Sequence, residues 1–210
     1  DRYFLNTIIV ASASTIGSVF LASLAGYGFS RFRFEGRSLF QRLILLTQMF
    51  PEALLIVPYF TILSRIGLVN SYPALIFAYV SFALPFSTWM LMGFFNSVPK
   101  ELDESAMVDG CNRWKAFFLV IVPLSAPAIA ATAIFSFLLA WNNFLFALTL
   151  ATSEKMFTLT VGLSTLIGEY SIAWNELAAA TVLASLVVII MYSFLEKYLV
   201  QGLTAGAVKG

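Results

Sequence analysis

Five stretches of this 210-residue chain are apolar over the length of a bilayer, and one charged stretch separates two of them. The apolar segments cover residues 4–29, 39–66, 72–95, 124–150 and 176–199, each long enough for the roughly 20 residues that a membrane-spanning helix needs. The pattern predicts an all-α, polytopic membrane helix bundle forming one transmembrane domain over residues 1–210. The first span holds no charge, and its small residues Ser14, Ser18, Ala22 and Gly26 recur every four positions. Such a ladder lines one helical face and lets backbones approach closely, so it predicts contact with another membrane helix.

Prolines mark the irregular spans. Pro51 and Pro58 interrupt the second span around QMFPEALLIVP, where a missing N–H disturbs the preceding turn and predicts a kink or break. Glu52, between them, is the one acid deep in a span. Such a group is costly unless it faces a cavity or a partner, which makes it a candidate pathway residue; a span end with Glu52 snorkelling into water is the alternative. Gly67, Asn70 and Pro73 predict a turn, and Pro85 sits near the middle of the uncharged third span. Pro123 and Pro127 are placed at first-turn positions of the fourth span. Asn142 and Asn143 lie in its outer half, suited to cross-helix hydrogen bonds or to substrate contact. Residues 151–175 are half polar, with Gly162 and Gly168, and predict a long external loop lying on the surface. In the fifth span Ala178, Ala179, Ala180 and Ala184 mark a tightly packing side, and the chain ends in a glycine-rich tail.

Composition agrees with lipid as the solvent. Hydrophobic residues make up 60% and charged ones 11%, against about 25% charged in a soluble domain. The net charge of +1 offers no basic field for nucleic acid. Histidine is absent and Cys111 is the single cysteine, so intrachain disulfides, Cys/His metal sites and histidine acid–base chemistry are excluded. The chain opens at Asp1 with no basic n-region, which predicts a preceding segment rather than a cleaved signal peptide. With residue 1 outside, inner loops would hold nine basic residues (Arg31, Arg33, Arg37, Arg42, Lys100, Arg113, Lys115, Lys197 and Lys209) and outer segments only Arg2, Arg65 and Lys155. The positive-inside rule then places the charged stretch and the C-terminus in the cytoplasm, with Arg31, Arg33, Arg37 and Arg42 as a cytoplasmic anchor and Phe32 and Phe34 suited to the interface.

That stretch, residues 99–123, reads PKELDESAMVDGCNRWKAFFLVIVP. Pro99 fits a first turn, and Glu101, Asp103 and Glu104 suit the positive end of a helix. Gly110 stops it in the left-handed conformation that glycine tolerates. Leu102 and Ala106 share one face, and Asn112 caps a following segment. The result is a protrusion fit for a groove on a soluble partner, or an amphipathic interfacial helix.

The same residues carry a resemblance. Glu104-Ser105-Ala106, three residues, Gly110, nine residues, then Val120-Ile121-Val122-Pro123 resembles the EAA loop of ATP-binding-cassette importer permeases, with Ser105 replacing alanine and two valines replacing other aliphatics. The segments LAGYGFSRFRFEGR, QMFPEALLIVP, SFALPF, FSFLLAWNNFLFAL and GLTAGAVKG extend the similarity over essentially the whole chain to the sugar-uptake branch, the maltose-transporter-type permeases. Members usually have six spans, which agrees with a segment preceding Asp1. The resemblance implies a non-catalytic permease of a prokaryotic inner membrane, with Glu104, Ser105, Ala106, Asp109, Gly110 and Pro123 coupling it to a cytoplasmic ATP-binding subunit dimer. It also implies a second homologous permease and an extracytoplasmic solute-binding protein, contacted by residues 151–175, and a tail that reaches the ATPase. Candidate pathway residues are Glu52, Asn142 and Asn143, for a di- or oligosaccharide, a polyol or a glycerol phosphate. No GxxxxGK[ST] loop is present, so no cofactor is expected here, and ATP and Mg would belong to the partner subunit. The rival reading is an ion-coupled secondary transporter with Glu52 as its ion site, although no inverted repeat is visible.

Overall fold

The computed structural model describes residues 1–168 and 172–207, with residues 195–207 as backbone only. Regular structure among the described residues is helical, apart from one isolated bridge between Ile167 and Ile172. In chain order the helices are α1 (Arg2–Arg31), α2 (Arg37–Thr47), α3 (Glu52–Arg65), α4 (Tyr72–Ser97), α5 (Glu101–Val108) and α6 (Arg113–Ala116). A π-helical turn, Phe117–Ile121, leads into α7 (Val122–Leu124), α8 (Ala126–Trp141) and α9 (Leu145–Leu150). A 3-10 turn, Glu154–Met156, precedes α10 (Leu159–Thr165) and α11 (Trp174–Ala207). Among the described residues α1, α4 and α11 are each long and apolar enough to cross a membrane. Two bent pairs, α2 with α3 and α6–α7 with α8, bring the number to five if each pair is one span.

The second and fourth spans therefore differ from single helices over residues 39–66 and 124–150. The chain turns by 98° between α2 and α3. Pro51 supplies no N–H to continue α2 and restricts Phe50 before it, whereas Pro58 sits inside α3 without ending it. Before α8 the bend is 79°. Here Pro123 lies in α7, ahead of the bend, and Pro127 alone occupies the first turn of α8. Because Pro123 has no N–H, the carbonyl of Leu119 loses its α-helical donor, and the Val122 N–H reaches back five residues to Phe117 O. The fourth span then stops at Trp141, and α9 resumes beyond the two asparagines.

The small-residue ladder of α1 packs within this chain, against α4. Ser14, Ser18, Ala22 and Gly26 are all buried. A Cβ on Gly26 would stand 3.0 Å from Met92 N and 3.3 Å from Thr88 O, so the two backbones touch there with no room for a side chain. α8 completes the trio, with the buried Ser87 and Ser136 hydroxyls 3.0 Å apart between α4 and α8. Two larger apolar clusters lie around Val10, Tyr79, Trp141 and Phe146 and around Tyr27, Phe95, Phe117 and Ile121, with a smaller one at Ala131 and Ile134. Outward-facing Ile16, Phe20, Phe77 and Leu183 stay exposed, as expected of a surface that meets lipid or another subunit. The fifth span departs from its expected packing. Ala178 and Ala179 are exposed, Ala180 and Ala184 only half-buried, and α11 lies at the edge of the bundle against α8. Its helix runs on to Ala207 through most of the glycine-rich tail. The Lys197 side chain, Lys209 and the last three residues lie outside the described residues.

Candidate functional site

The charged stretch folds as a capped helical hairpin. Acidic residues Glu101, Asp103 and Glu104 occupy the first turn of α5, where the helix dipole favours them. Its C-terminus closes as a Schellman motif: Cys111 N–H donates to Ala106 O at 3.0 Å and Gly110 N–H to Met107 O at 3.2 Å. Gly110 takes φ +87°, the left-handed conformation expected of it. Asn112 then caps α6 by accepting the Lys115 N–H at 2.9 Å. Glu104, Ser105 and Asp109 face outward, Ala106 faces inward. Two details depart from the sequence reading. Pro99 stands just before α5 rather than in its first turn. The buried face consists of Asp103 and Ala106, while Leu102 is 38% exposed and Val108 87% exposed.

Asp103 is buried because Arg31 is waiting for it. Arg31 Nε and Asp103 Oδ2 are 2.6 Å apart, and the Tyr27 hydroxyl donates to Asp103 Oδ1 at 2.8 Å. The rest of the guanidinium donates to Phe95 O at 2.8 Å and Val98 O at 3.1 Å, the end of α4. Arg31 is thus an internal strut rather than part of a cytoplasmic anchor. Its neighbour Phe32 carries the Arg113 guanidinium 5.0 Å above its ring. From the sequence, Arg31 reads as part of a cytoplasmic anchor and Asp103 as one of three acids at a helix start. The available signal was an arginine directly ending an uncharged span, on the same side as the acidic stretch 101–109.

A second polar group lies at the break before α3. Asn143 Nδ2 donates to Glu52 Oε1, Asn143 Oδ1 accepts the Phe146 N–H at 3.2 Å, and Asn143 O accepts the Thr160 hydroxyl at 2.7 Å. Asn142 does not join them: it is exposed and donates to Leu138 O of its own helix at 2.8 Å. Beside the break, Gln48, Phe50, Tyr59, Ser81 and Phe82 line a recess of about 300 Å³. The full length of α8, about 24 Å at 1.5 Å per residue over its 16 residues, separates this group from the loop hairpin. No group of three or more acidic or cysteine side chains able to hold a metal occurs among the described residues.

Residues 151–168 are folded onto the bundle rather than laid on its surface. Asn6, itself buried, donates to Lys155 O at 3.0 Å and Phe157 O at 2.9 Å, and accepts the Tyr72 hydroxyl at 2.7 Å. Thr7 accepts the Leu159 N–H at 2.7 Å. From the other side Asn70, at φ +63°, accepts from Thr152 N, Ser153 N and the Ser153 hydroxyl, each at 3.0 Å. Residues 169–171 of this connection lie outside the described residues.

Broken apolar spans around a polar break, with a capped charged hairpin at the far end of α8, make this a polytopic membrane helix bundle. Residues 18–205 match the model of the binding-protein-dependent transport system inner membrane component family, and the chain belongs to that family. It is 43% identical over 209 residues to the trehalose/maltose transport system permease protein MalG of Thermococcus litoralis, covering 99% of this chain and 75% of that protein. It is 38% identical over 208 residues to the sulfoquinovosyl glycerol transport system permease protein SmoH of Agrobacterium fabrum, covering 99% of this chain and 73% of that one. Among solved structures, a bacterial ABC transporter that imports the acidic polysaccharide alginate superposes with a TM-score of 0.82 at 23% identity, over 94% of this chain and 74% of that chain. The chain is a multi-pass inner-membrane permease component of the binding-protein-dependent type. Membership in this family overturns the ion-coupled reading.

Proposed function

We propose that this chain forms part of the pathway for a sugar or sugar-like solute and couples its passage to ATP hydrolysis by a separate subunit. The relatives named for maltose, sulfoquinovosyl glycerol and alginate support the solute class. The observation that carries the coupling role is α5, a helix closed by a Schellman turn that presents Leu102, Val108, Glu104 and Ser105 outward from a bundle otherwise apolar. Such a face suits a groove on a soluble ATPase subunit. Residues 99–123 then lie in the cytoplasm and residue 1 outside, in keeping with the distribution of basic residues. The folded segment 151–168 is the surface offered to a solute-binding protein, and the exposed apolar sides of α2 and α3 are offered to a second permease. Glu52 and Asn143 border the pathway, where alternate inward- and outward-facing states would move α3.

Reconstitution of the importer with its ATPase, second permease and binding protein tests this reading. Gly110→Pro removes the left-handed cap, and sugar uptake should fall while ATP hydrolysis continues uncoupled from it. Unchanged uptake together with unchanged stimulated hydrolysis refutes the coupling assignment. Uptake that persists without ATP and collapses with an ion gradient refutes the transporter class.

A further inference from the structure

Beside a single ion pair, little buried apolar surface holds the loop helix to the bundle. Only Asp103 and Ala106 of α5 are buried, and eight residues are too few for a stable helix on their own. On its C-terminal side the Gly110 turn folds α5 back against α6 and the π-helical turn, ahead of the bend at Ser125. Arg31 supplies what the packing does not. One planar guanidinium ends α1, bonds the carbonyls that end α4, and holds the carboxylate that begins α5. A buried pair of this kind is a poor source of net stability compared with apolar packing, but its geometry is fixed by direction as well as distance.

We propose that the Arg31–Asp103 pair, with Tyr27 on the same carboxylate, is the positioning element that makes α5 move as one body with α1 and α4. The inference rests on the coupling reading above and adds the residues inside the bundle that receive the motion. Pull on α5 by an ATPase subunit is delivered to the ends of α1 and α4 through the guanidinium. Without it, α5 shifts about its Gly110 turn while the spans stay behind. Neither residue needs to touch the ATPase or the solute.

The whole importer in lipid vesicles is the system for the test, with sugar uptake and ATP hydrolysis measured on the same preparation. Asp103→Asn should leave the ATPase subunit bound and hydrolysis within about twofold, while sugar moved per ATP falls about tenfold, a loss well inside the cost of splitting a buried pair. Asp103→Glu, which keeps the charge, should recover part of that ratio, and Tyr27→Phe should lower it by about twofold, the scale of one hydrogen bond. A wild-type ratio in Asp103→Asn overturns the proposal. So does a parallel loss of uptake and hydrolysis as the ATPase subunit dissociates, which makes Asp103 a docking residue. If Asp103→Asn does not assemble, an unchanged ratio in Tyr27→Phe overturns it instead. Gly110→Pro separates the two readings: if it uncouples while Asp103→Asn does not, only the ion pair fails; if neither uncouples, the coupling role of the loop fails.

Discussion

Asn143 donates its side-chain N–H to Glu52 across 91 positions of sequence, joining the break after α8 to the break before α3. Asn143→Ala leaves the carboxylate without that donor, at a cost of about 1–3 kcal/mol. For a chain of this size the purified protein should unfold at a temperature lower by about 2–4 °C for each kcal/mol. Glu52→Gln keeps an acceptor for Asn143 and should cost less than Asn143→Ala in the same thermal scan. Sugar uptake by Glu52→Gln at the wild-type rate removes Glu52 from the pathway.

Gly26 and Gly28 sit two residues apart in α1 and should respond oppositely to the same change. A Cβ on Gly26 meets backbone atoms of α4, which cannot rotate away, whereas nothing stands within 4 Å of one on Gly28. Gly26→Ala should destabilise the bundle by about 1–3 kcal/mol through overpacking. Gly28→Ala should be neutral or gain up to about 1 kcal/mol from helix propensity. Detergent unfolding curves of the two variants decide it, and equal behaviour contradicts the close α1–α4 approach.

Gly162 in α10 lies against the Tyr3 ring so closely that an added Cβ would clash with the ring's Cδ2 edge. Gly162→Ala should loosen the outer segment from α1 and raise its susceptibility to protease, while Tyr3→Ala in the same chain relieves the clash. The pair should therefore be non-additive by more than about 0.5 kcal/mol. Independent effects would place Tyr3 elsewhere.

Val108 is the most exposed large apolar residue of the loop hairpin, at 87%. Val108→Asp should leave the unfolding temperature within about 1 °C, because a solvated site costs little on its own. Copurification of the ATPase subunit should drop sharply. Retention of that subunit at wild-type yield would move the docking face off this side of α5.

Much of the architecture was legible because lipid imposes simple rules. The lengths of α1 and α4, the turn at Asn70, the break near Pro51, the Gly110 stop and the Asn112 cap all follow from local chemistry: apolar length, a missing N–H, a tolerated left-handed φ, a side-chain acceptor. The π-helical turn before Pro123 did not follow, since the proline announces a lost donor but not how the preceding carbonyls are reassigned. Partnerships across the sequence were harder still. Glu52 and Asn143 were each singled out as polar groups in apolar surroundings, yet nothing local pairs them, and Asn142 beside them turns back on its own helix. Asp103 was hidden among Glu101 and Glu104, which have the same charge and the same helix-end logic. Only Arg31, 72 residues earlier, tells them apart. Asn6 and Thr7 were overlooked inside a stretch judged by its lack of charge, although uncharged polar groups in a span also need partners.

Those last two residues bear on how such proteins are re-engineered. The segment 151–168 is tied down by Asn6 and Thr7 at the start of α1 and by Asn70 in the turn before α4. It is therefore not a cassette that can be exchanged alone between homologues. A transplanted segment arrives without the amides and hydroxyl that accept and donate to its backbone, and it will take up its native shape only in a host that already carries them, or that receives all three positions along with it.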